Sequence, residues 1–120
     1  MFLDEQSKVI EHSSTLSPLA VGVPGTVDGM VQAHKKFGSL PFADLVAPAM
    51  ELAQKGFPVT AMQAKSLNGN RENFIKYNKV LPAFVKEGEW QVGDLLVQEE
   101  LFNTLRLIAE NELMDFIKAL

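Results

Sequence analysis

Proline and glycine divide this chain into short segments, and this division constrains the fold more than any other feature of the sequence. The main breaks are Pro24-Gly25, Gly38, Pro41, Gly56, Pro58, Pro82 and Gly88. Between the breaks, apolar residues recur at the three- and four-residue spacing of one helix face. The sequence therefore predicts several short amphipathic helices, and we expect the fold class to be mainly α.

The residues before the first break, 1–23, are polar with short β-branched pieces and show no helical period. We expect a loop here that ends in a short strand at residues 20–23. A first helix is predicted over about 26–37, with a glycine stop after it. Gly29 lies inside this helix and costs about 1 kcal/mol relative to alanine, so it indicates either close packing of another backbone or simple tolerance.

A second helix is predicted to begin near Pro41, because proline suits the first helical turn. Pro48 removes a backbone donor from the middle of this helix, so we expect either a kink or two short helices. The stop at Gly56 predicts a left-handed cap, with Phe57 folded back onto Leu52.

A third helix is predicted over about 61–69, because Thr60 and Gln63 have the spacing of a capping box. We expect it to be buried through Met62 and Leu67. The following stretch, 71–90, is uneven and predicts short helical turns and loops.

The last part of the chain predicts another helix, in which Leu101, Leu105 and Ile108 form one apolar stripe. The pattern continues to residue 120, either unbroken or interrupted near Asn111. No linker, low-complexity block or repeat separates two units. We therefore expect residues 1–120 to form a single segment, with 24–120 mostly helical.

Charge and composition exclude several classes of protein. Eleven Lys and Arg residues against fifteen Asp and Glu give a net charge of −4, and the basic residues are scattered, so we expect no nucleic-acid partner. The absence of cysteine excludes disulfides, thiolate nucleophiles and cysteine zinc sites. No apolar run approaches the roughly 20 residues that cross a bilayer, so we expect no membrane span.

The histidines and paired carboxylates are not spaced for catalysis or metal binding. His12 and His34 have no acidic partner at helical spacing, so we expect His12 in an exposed loop and His34 as a partly buried structural imidazole. The adjacent pairs Asp4-Glu5 and Glu99-Glu100 point their side chains apart and are expected to be solvated. The residues by themselves therefore identify no catalytic, substrate-binding, cofactor or metal site.

The most distinctive motif of the chain is AVGVPGTVDG at residues 20–29, followed by KFGSLP at 36–41. Further motifs are APA at 47–49, LAQKGFPV at 52–59, GDLLVQ at 93–98 and IAEN at 108–111. Together they resemble the γ-glutamyltranspeptidase family, and the resemblance spans nearly the whole chain. The first residues, MFLD, also resemble an internal stretch of that family, so we expect this chain to be a piece of the large subunit.

The resemblance implies an enzyme that is made as a precursor, cuts itself into large and small subunits, and transfers or hydrolyses the γ-glutamyl group of glutathione and related compounds. The implied fold of the whole enzyme is a four-layer αββα sandwich of the N-terminal-nucleophile hydrolases, which this helical segment would flank. The implied partners are the remainder of the large subunit and the small subunit. Because a fragment lacks these neighbours, we also expect self-association of the isolated segment. No cofactor is implied, and bacterial members are commonly periplasmic or secreted.

The nucleophile implied by the resemblance is a threonine freed at the start of the small subunit, where its own α-amine can act as the base. The threonines of this chain, Thr15, Thr26, Thr60 and Thr104, are all internal. The family's substrate-binding arginine lies upstream of the matched region, and Arg71 and Arg106 stand in no such motif. We therefore expect a scaffold that is inactive alone; the alternative is a stand-alone helical module that binds a partner through an apolar face.

Overall fold

The structure is a computed structural model and describes residues 2–22 and 25–111. It is mostly helical with one small sheet, which confirms the mainly α class for this part of the chain. The elements are α1 (Ser13–Leu16), a 3-10 helix (Pro18–Ala20), α2 (Thr26–Phe37), α3 (Phe42–Lys55), β1 (Phe57–Pro58), α4 (Ala61–Gly69), α5 (Arg71–Tyr77), β2 (Leu95–Leu96) and α6 (Glu99–Asn111). None of these helices has the length and apolar character that crossing a bilayer requires.

The beginning of the chain differs from the expectation of a loop and a short strand. Two short helical pieces occupy most of residues 13–20, and no residue from 20 to 22 forms a β-bridge within the part that the structure describes. Leu3 and Val9 form an isolated antiparallel bridge instead. The backbone N–H groups of Ala20 and Val21 donate instead to the Ser17 and Pro18 carbonyls within this helical stretch; Val23 lies outside the described residues.

Helix α2 begins and ends where the apolar pattern predicts. Val31 is its buried residue, whereas Met30 and Phe37 are largely exposed. Apart from the backbone of the helix itself, no atom lies within 4 Å of the position that a side-chain carbon of Gly29 would occupy. Within these residues the structure therefore supports simple tolerance of Gly29 rather than close packing.

Helix α3 is continuous through Pro48, so the expectation of two short helices is wrong. Because proline has no backbone N–H, the Asp44 carbonyl lacks the donor that an ordinary residue at position 48 would supply. Pro48 is exposed, so this carbonyl lies near solvent rather than in the core, and the helix continues.

Gly56 ends α3 as predicted, but the cap differs in form. Its φ of 76° is positive while its ψ of 170° is extended, so the residue is not in the left-handed helical region. Its N–H donates to the Leu52 carbonyl oxygen at 2.9 Å. Phe57 enters β1 and packs against the core, and Leu52 remains 55% exposed.

One small cluster of buried apolar residues packs around Trp90, and we call it the Trp90 core. Its buried members are Val59, Ala64, Trp90 and Leu96, surrounded by Phe57, Leu67 and Phe84. Helix α4 has the expected bounds, and the capping box between Thr60 and Gln63 is present. Leu67 contributes to the core as expected, but Ala64 takes the buried position expected for Met62, which is 82% exposed.

Strands β1 and β2 pair in antiparallel register, with Phe57 opposite Leu96 and Pro58 opposite Leu95. Beyond this pair, the Gly93 N–H donates to the Val59 carbonyl and the Val59 N–H donates to the Asp94 carbonyl, each at 2.9 Å. Two residues thus oppose one, as in a β-bulge whose first residue is a glycine with positive φ. Gly93 has φ 90°, which explains the glycine in the Gly93-Asp94 motif.

Helix α6 packs against α3. The Gln98 N–H donates to the Ala53 carbonyl at 2.9 Å and fixes the start of α6 beside the end of α3. Ala53 and Ile108 are 2% and 6% exposed. The predicted stripe is therefore buried at Ile108, while Leu101 remains 41% exposed. The predicted continuation from 112 to 120 lies outside the described residues.

Candidate functional site

The threonine hydroxyls bond to backbone and cap atoms rather than to a catalytic base. Thr15 donates to the His12 carbonyl at 3.3 Å, and Thr104 donates to the Glu100 carbonyl at 3.0 Å. Thr60 accepts from the Gln63 N–H at 3.3 Å as part of the capping box. Thr26 is the exposed first residue of α2. A hydroxyl becomes a strong nucleophile only beside a base, and these bonds are instead local contacts within helices or at their caps.

The histidines lie where the sequence predicts. The His12 side chain is 67% exposed and lies 3.6 Å from a Glu11 carboxylate oxygen. His34 is half-buried; its Nε2 lies 2.7 Å from the Leu40 carbonyl oxygen, and its ring centroid is 5.1 Å from that of Phe42. His34 therefore joins the end of α2 to the start of α3, and its partial burial is as predicted.

The remaining charged candidates are also placed by the structure. The pairs Asp4-Glu5 and Glu99-Glu100 are exposed, as predicted. Arg71 donates from Nη2 to the Lys86 carbonyl at 3.5 Å, and Arg106 donates from Nη1 to both carboxylate oxygens of Glu110 at 3.1 Å. Within 2–22 and 25–111, no group of three or more His, Asp or Glu side chains is arranged to hold a metal ion.

A cluster of polar side chains lies on the Trp90 core, and sequence reasoning missed it. Lys86 Nζ pairs with Asp94 Oδ2 and lies 4.8 Å from the centroid of the Trp90 ring. The same carboxylate oxygen accepts the Gln91 N–H at 2.8 Å. The hydrogen bond from Lys86 and then that from Gln91 lower the pKa of Asp94, because both stabilise the charged carboxylate.

Asn68 holds the backbone of Trp90 from both sides, and we call this pair of hydrogen bonds the Asn68 clamp. Its Oδ1 accepts the Trp90 N–H at 2.8 Å, and its Nδ2 donates to the Trp90 carbonyl at 3.0 Å. Trp90 Nε1–H donates to the Phe84 carbonyl at 2.8 Å. These polar groups satisfy one another, so the constellation anchors the loop 84–94 to α4 and offers no group for catalysis.

The sequence contained only a weak signal for the Asn68 clamp. Trp90 is the single tryptophan of the chain, and Asn68 belongs to an Asn-Gly-Asn turn signal. Twenty-two positions separate the two residues, so no local period connects them. Their pairing follows from the tertiary fold alone.

A groove of about 640 Å³ lies between the loop 81–84 and the start of α6. Its apolar walls are Leu81, Pro82, Ala83, Phe84, Val97 and Leu101, with Gln98, Glu99 and Glu100 at one side. A smaller pocket of about 220 Å³ shares Val97 and Glu99 with it. Among the described residues that line the groove, only the two exposed glutamates are titratable, so it resembles a contact surface more than a reaction site.

Comparison with known proteins matches residues 1–118 to the family model described as gamma-glutamyltranspeptidase. The chain is 38% identical over 124 residues to the glutathione hydrolase proenzyme of Pseudomonas aeruginosa and 40% identical over 120 residues to that of Escherichia coli. Among solved structures, it is similar to the gamma-glutamyltranspeptidase of Helicobacter pylori, with a TM-score of 0.81 and 42% identity over 91% of this chain and 32% of that chain.

The matches cover nearly all of this chain but only a small part of each relative. Each of the two proenzyme matches covers 98% of this chain and 21% of the relative. The chain thus spans about a fifth of the length of these curated relatives. Since the family match runs through all the motifs and nearly the full chain, the chain belongs to the γ-glutamyltranspeptidase family.

Proposed function

We propose that this chain is a scaffold segment of the large subunit of a γ-glutamyltransferase or glutathione hydrolase, and that the whole enzyme transfers or hydrolyses γ-glutamyl groups. The relatives named glutathione hydrolase proenzyme support this activity and a precursor that matures by cleavage. The placement of Arg71 and Arg106 supports a scaffold role, because each binds a neighbouring group within the segment.

The exposure of large apolar side chains is the observation that carries the scaffold role. The exposed set is Leu3, Val9, Ile10, Val21, Met30, Phe37, Leu40, Leu45, Leu52, Met62, Ile75, Tyr77, Val80, Leu81, Val92, Leu95, Val97 and Leu101. Such a surface is typical of a segment covered by other parts of a larger protein.

The proposed partners are the remainder of the large subunit and the small subunit. In this proposal the nucleophile is a threonine at the new N-terminus of the small subunit, because an α-amine can act as the local base only when no peptide bond occupies it. No threonine of the present chain meets this condition. Nothing in the comparisons favours the alternative of a stand-alone interaction module.

A direct assay tests whether the segment is inactive alone. We expect no release of chromophore when the purified chain is incubated with a chromogenic γ-glutamyl amide. A variant with all four threonines replaced by alanine is the matched control. Turnover by the wild-type chain that survives in this variant would reveal chemistry outside the proposal. Turnover that is lost in a variant with the wild-type Trp90 fluorescence would identify a threonine of this chain as the nucleophile.

A chimera tests the scaffold role itself. This segment would replace the matched region of the Escherichia coli proenzyme, which has 40% identity to it. We expect the chimera to cleave itself into two subunits and to hydrolyse a γ-glutamyl amide. The same chimera carrying Glu51→Gln, a change at an exposed residue, should behave identically. A chimera that folds and cleaves but shows no turnover would contradict the proposal.

A further inference from the structure

The dipeptide Asn68-Gly69 has a sequence that favours deamidation, but the fold holds the Asn68 side chain in place by hydrogen bonds. Asn68 is the only asparagine of the chain that is followed by glycine. In such a pair, the backbone nitrogen of the second residue can attack the side-chain carbonyl carbon of the first. Glycine favours this attack because it has no Cβ to hinder the approach and the backbone flexibility to reach it.

The fold opposes this attack in two ways. Asn68 is half-buried, and the Asn68 clamp holds both ends of its carboxamide on the Trp90 backbone at 2.8 Å and 3.0 Å. Gly69 is the last residue of α4, so its N–H points along the helix towards the preceding turn and away from the side chain. The reacting nitrogen and carbon cannot meet until the clamp and the last helical turn have opened.

We propose that Asn68 is a folding-gated deamidation site, which stays intact in the folded chain and is converted in chains that remain unfolded. The Gly69 nitrogen forms a bond to Asn68 Cγ, and the Cγ–Nδ2 bond breaks. The proton from the Gly69 nitrogen leaves with the side-chain nitrogen as ammonia. Water then opens the resulting succinimide at either carbonyl, which produces aspartate or isoaspartate at position 68.

The product is incompatible with the Asn68 clamp. A carboxylate has no N–H to donate to the Trp90 carbonyl, and it places negative charge against that oxygen. An isoaspartate would also add a carbon to the main chain at the end of α4. The modification therefore marks a chain that has been unfolded and prevents it from re-forming the Trp90 core.

The rate of deamidation across a urea series tests the gate. The full chain would be incubated at fixed, mildly alkaline pH, with Trp90 fluorescence reporting the unfolded fraction and peptide mass spectrometry reporting conversion at position 68. A peptide of residues 64–72 in the same solutions gives the intrinsic rate. We expect conversion to follow the unfolded fraction, with the folded chain slower by about tenfold or more, as two hydrogen bonds must open first.

One variant and one internal reference sharpen this test. Gly69→Ala should fold normally, because no atom lies within 4 Å of the new carbon, and should slow conversion in urea. Asn70 is the internal reference, since Arg71 follows it. A conversion rate at Asn68 that does not follow the Trp90 signal would overturn the gate. A rate at Asn68 in high urea that is no faster than the rate at Asn70 would refute the proposed reactivity of Asn68-Gly69.

Substitution tests the consequence of the modification. We expect Asn68→Asp to lower the urea midpoint or to prevent formation of the Trp90 core. Asn70→Asp should have a smaller effect, because Asn70 contributes only one exposed side-chain bond, to the Ser66 carbonyl at 2.9 Å. An Asn68→Asp chain with the wild-type midpoint would refute the proposed marking.

Discussion

Asp94 stabilises the region around Trp90 through three separate contacts. Its carboxylate pairs with Lys86 and accepts the Gln91 N–H, while its backbone carbonyl accepts the Val59 N–H. The side chain therefore fixes the turn that leads into β2, and the backbone joins that turn to the residue following β1. At the residue scale, we therefore expect loss of the Asp94 charge to have the clearest effect on the stability of the fold.

The stability contributed by Asp94 should depend on pH. Lys86 and Gln91 lower its folded-state pKa below the ordinary value of 3.8, so the contribution is complete well above that value and is lost as pH falls through the folded pKa. We expect Asp94→Asn to lower the urea midpoint at pH 7, and the difference from wild type to shrink in acid. Trp90 fluorescence measures both midpoints.

Glu51→Gln provides the matched control for this prediction. Glu51 also has a lowered pKa, through its hydrogen bond with Lys55. However, both side chains are more than 60% exposed, and such pairs contribute little to stability. We expect a smaller effect than at Asp94. Parallel midpoints for wild type and Asp94→Asn from neutral to acid pH would show that the charge of Asp94 does not stabilise the fold.

Two glycines should respond to alanine in opposite directions. A Cβ at Gly56 would lie 2.8 Å from Val97 Cγ2 and 3.0 Å from the Leu96 carbonyl oxygen, at a φ of 76°. We expect Gly56→Ala to destabilise the chain by about 1–3 kcal/mol. Gly29→Ala, in open space within α2, should stabilise it by up to about 1 kcal/mol. Urea unfolding measures the free energy of unfolding of both variants. Equal changes in this free energy would contradict the opposite roles expected for Gly56 and Gly29.

At the scale of elements, α3 contains its own weak point at Pro48. Proline in a helix interior costs about 3 kcal/mol relative to alanine, although its restricted unfolded state offsets part of this. Because Pro48 is exposed, we expect Pro48→Ala to raise the urea midpoint. Pro41→Ala, just before the helix, should change it less. A lower midpoint for Pro48→Ala would show that the ring itself stabilises the helix.

The elements also show how far sequence reasoning reaches. Helices α2 and α4 were predictable because their apolar spacing, glycine stop and capping box are local signals. Strands β1 and β2 have two residues each and pair across the intervening α4, α5 and loop, so no period marks them. The Asn68 clamp depends on the same tertiary pairing. Ala64, rather than Met62 as expected, is buried in the core. The position of Trp90 determines which face of α4 is buried.

At the scale of the whole molecule, the exposed apolar faces determine how the chain behaves in isolation. Leu45 and Leu52 on α3 are 51% and 55% exposed, and Val97 and Leu101 near the start of α6 are 42% and 41% exposed. We expect the isolated chain to bind apolar dyes and to self-associate as its concentration rises. Sedimentation velocity over a concentration series measures this.

A charge placed on the exposed face of α3 separates apolar association from a general charge effect. Leu52→Lys should reduce self-association and dye binding, whereas Ala43→Lys adds the same charge at an exposed position of α3 with a small side chain and should leave both nearly unchanged. In the chimeric proenzyme, Leu52→Lys should also impair self-cleavage, since the remainder of the enzyme would have to bury a charge there. A monodisperse wild-type chain that binds no dye, together with a Leu52→Lys chimera that matures normally, would show that this face is a free surface.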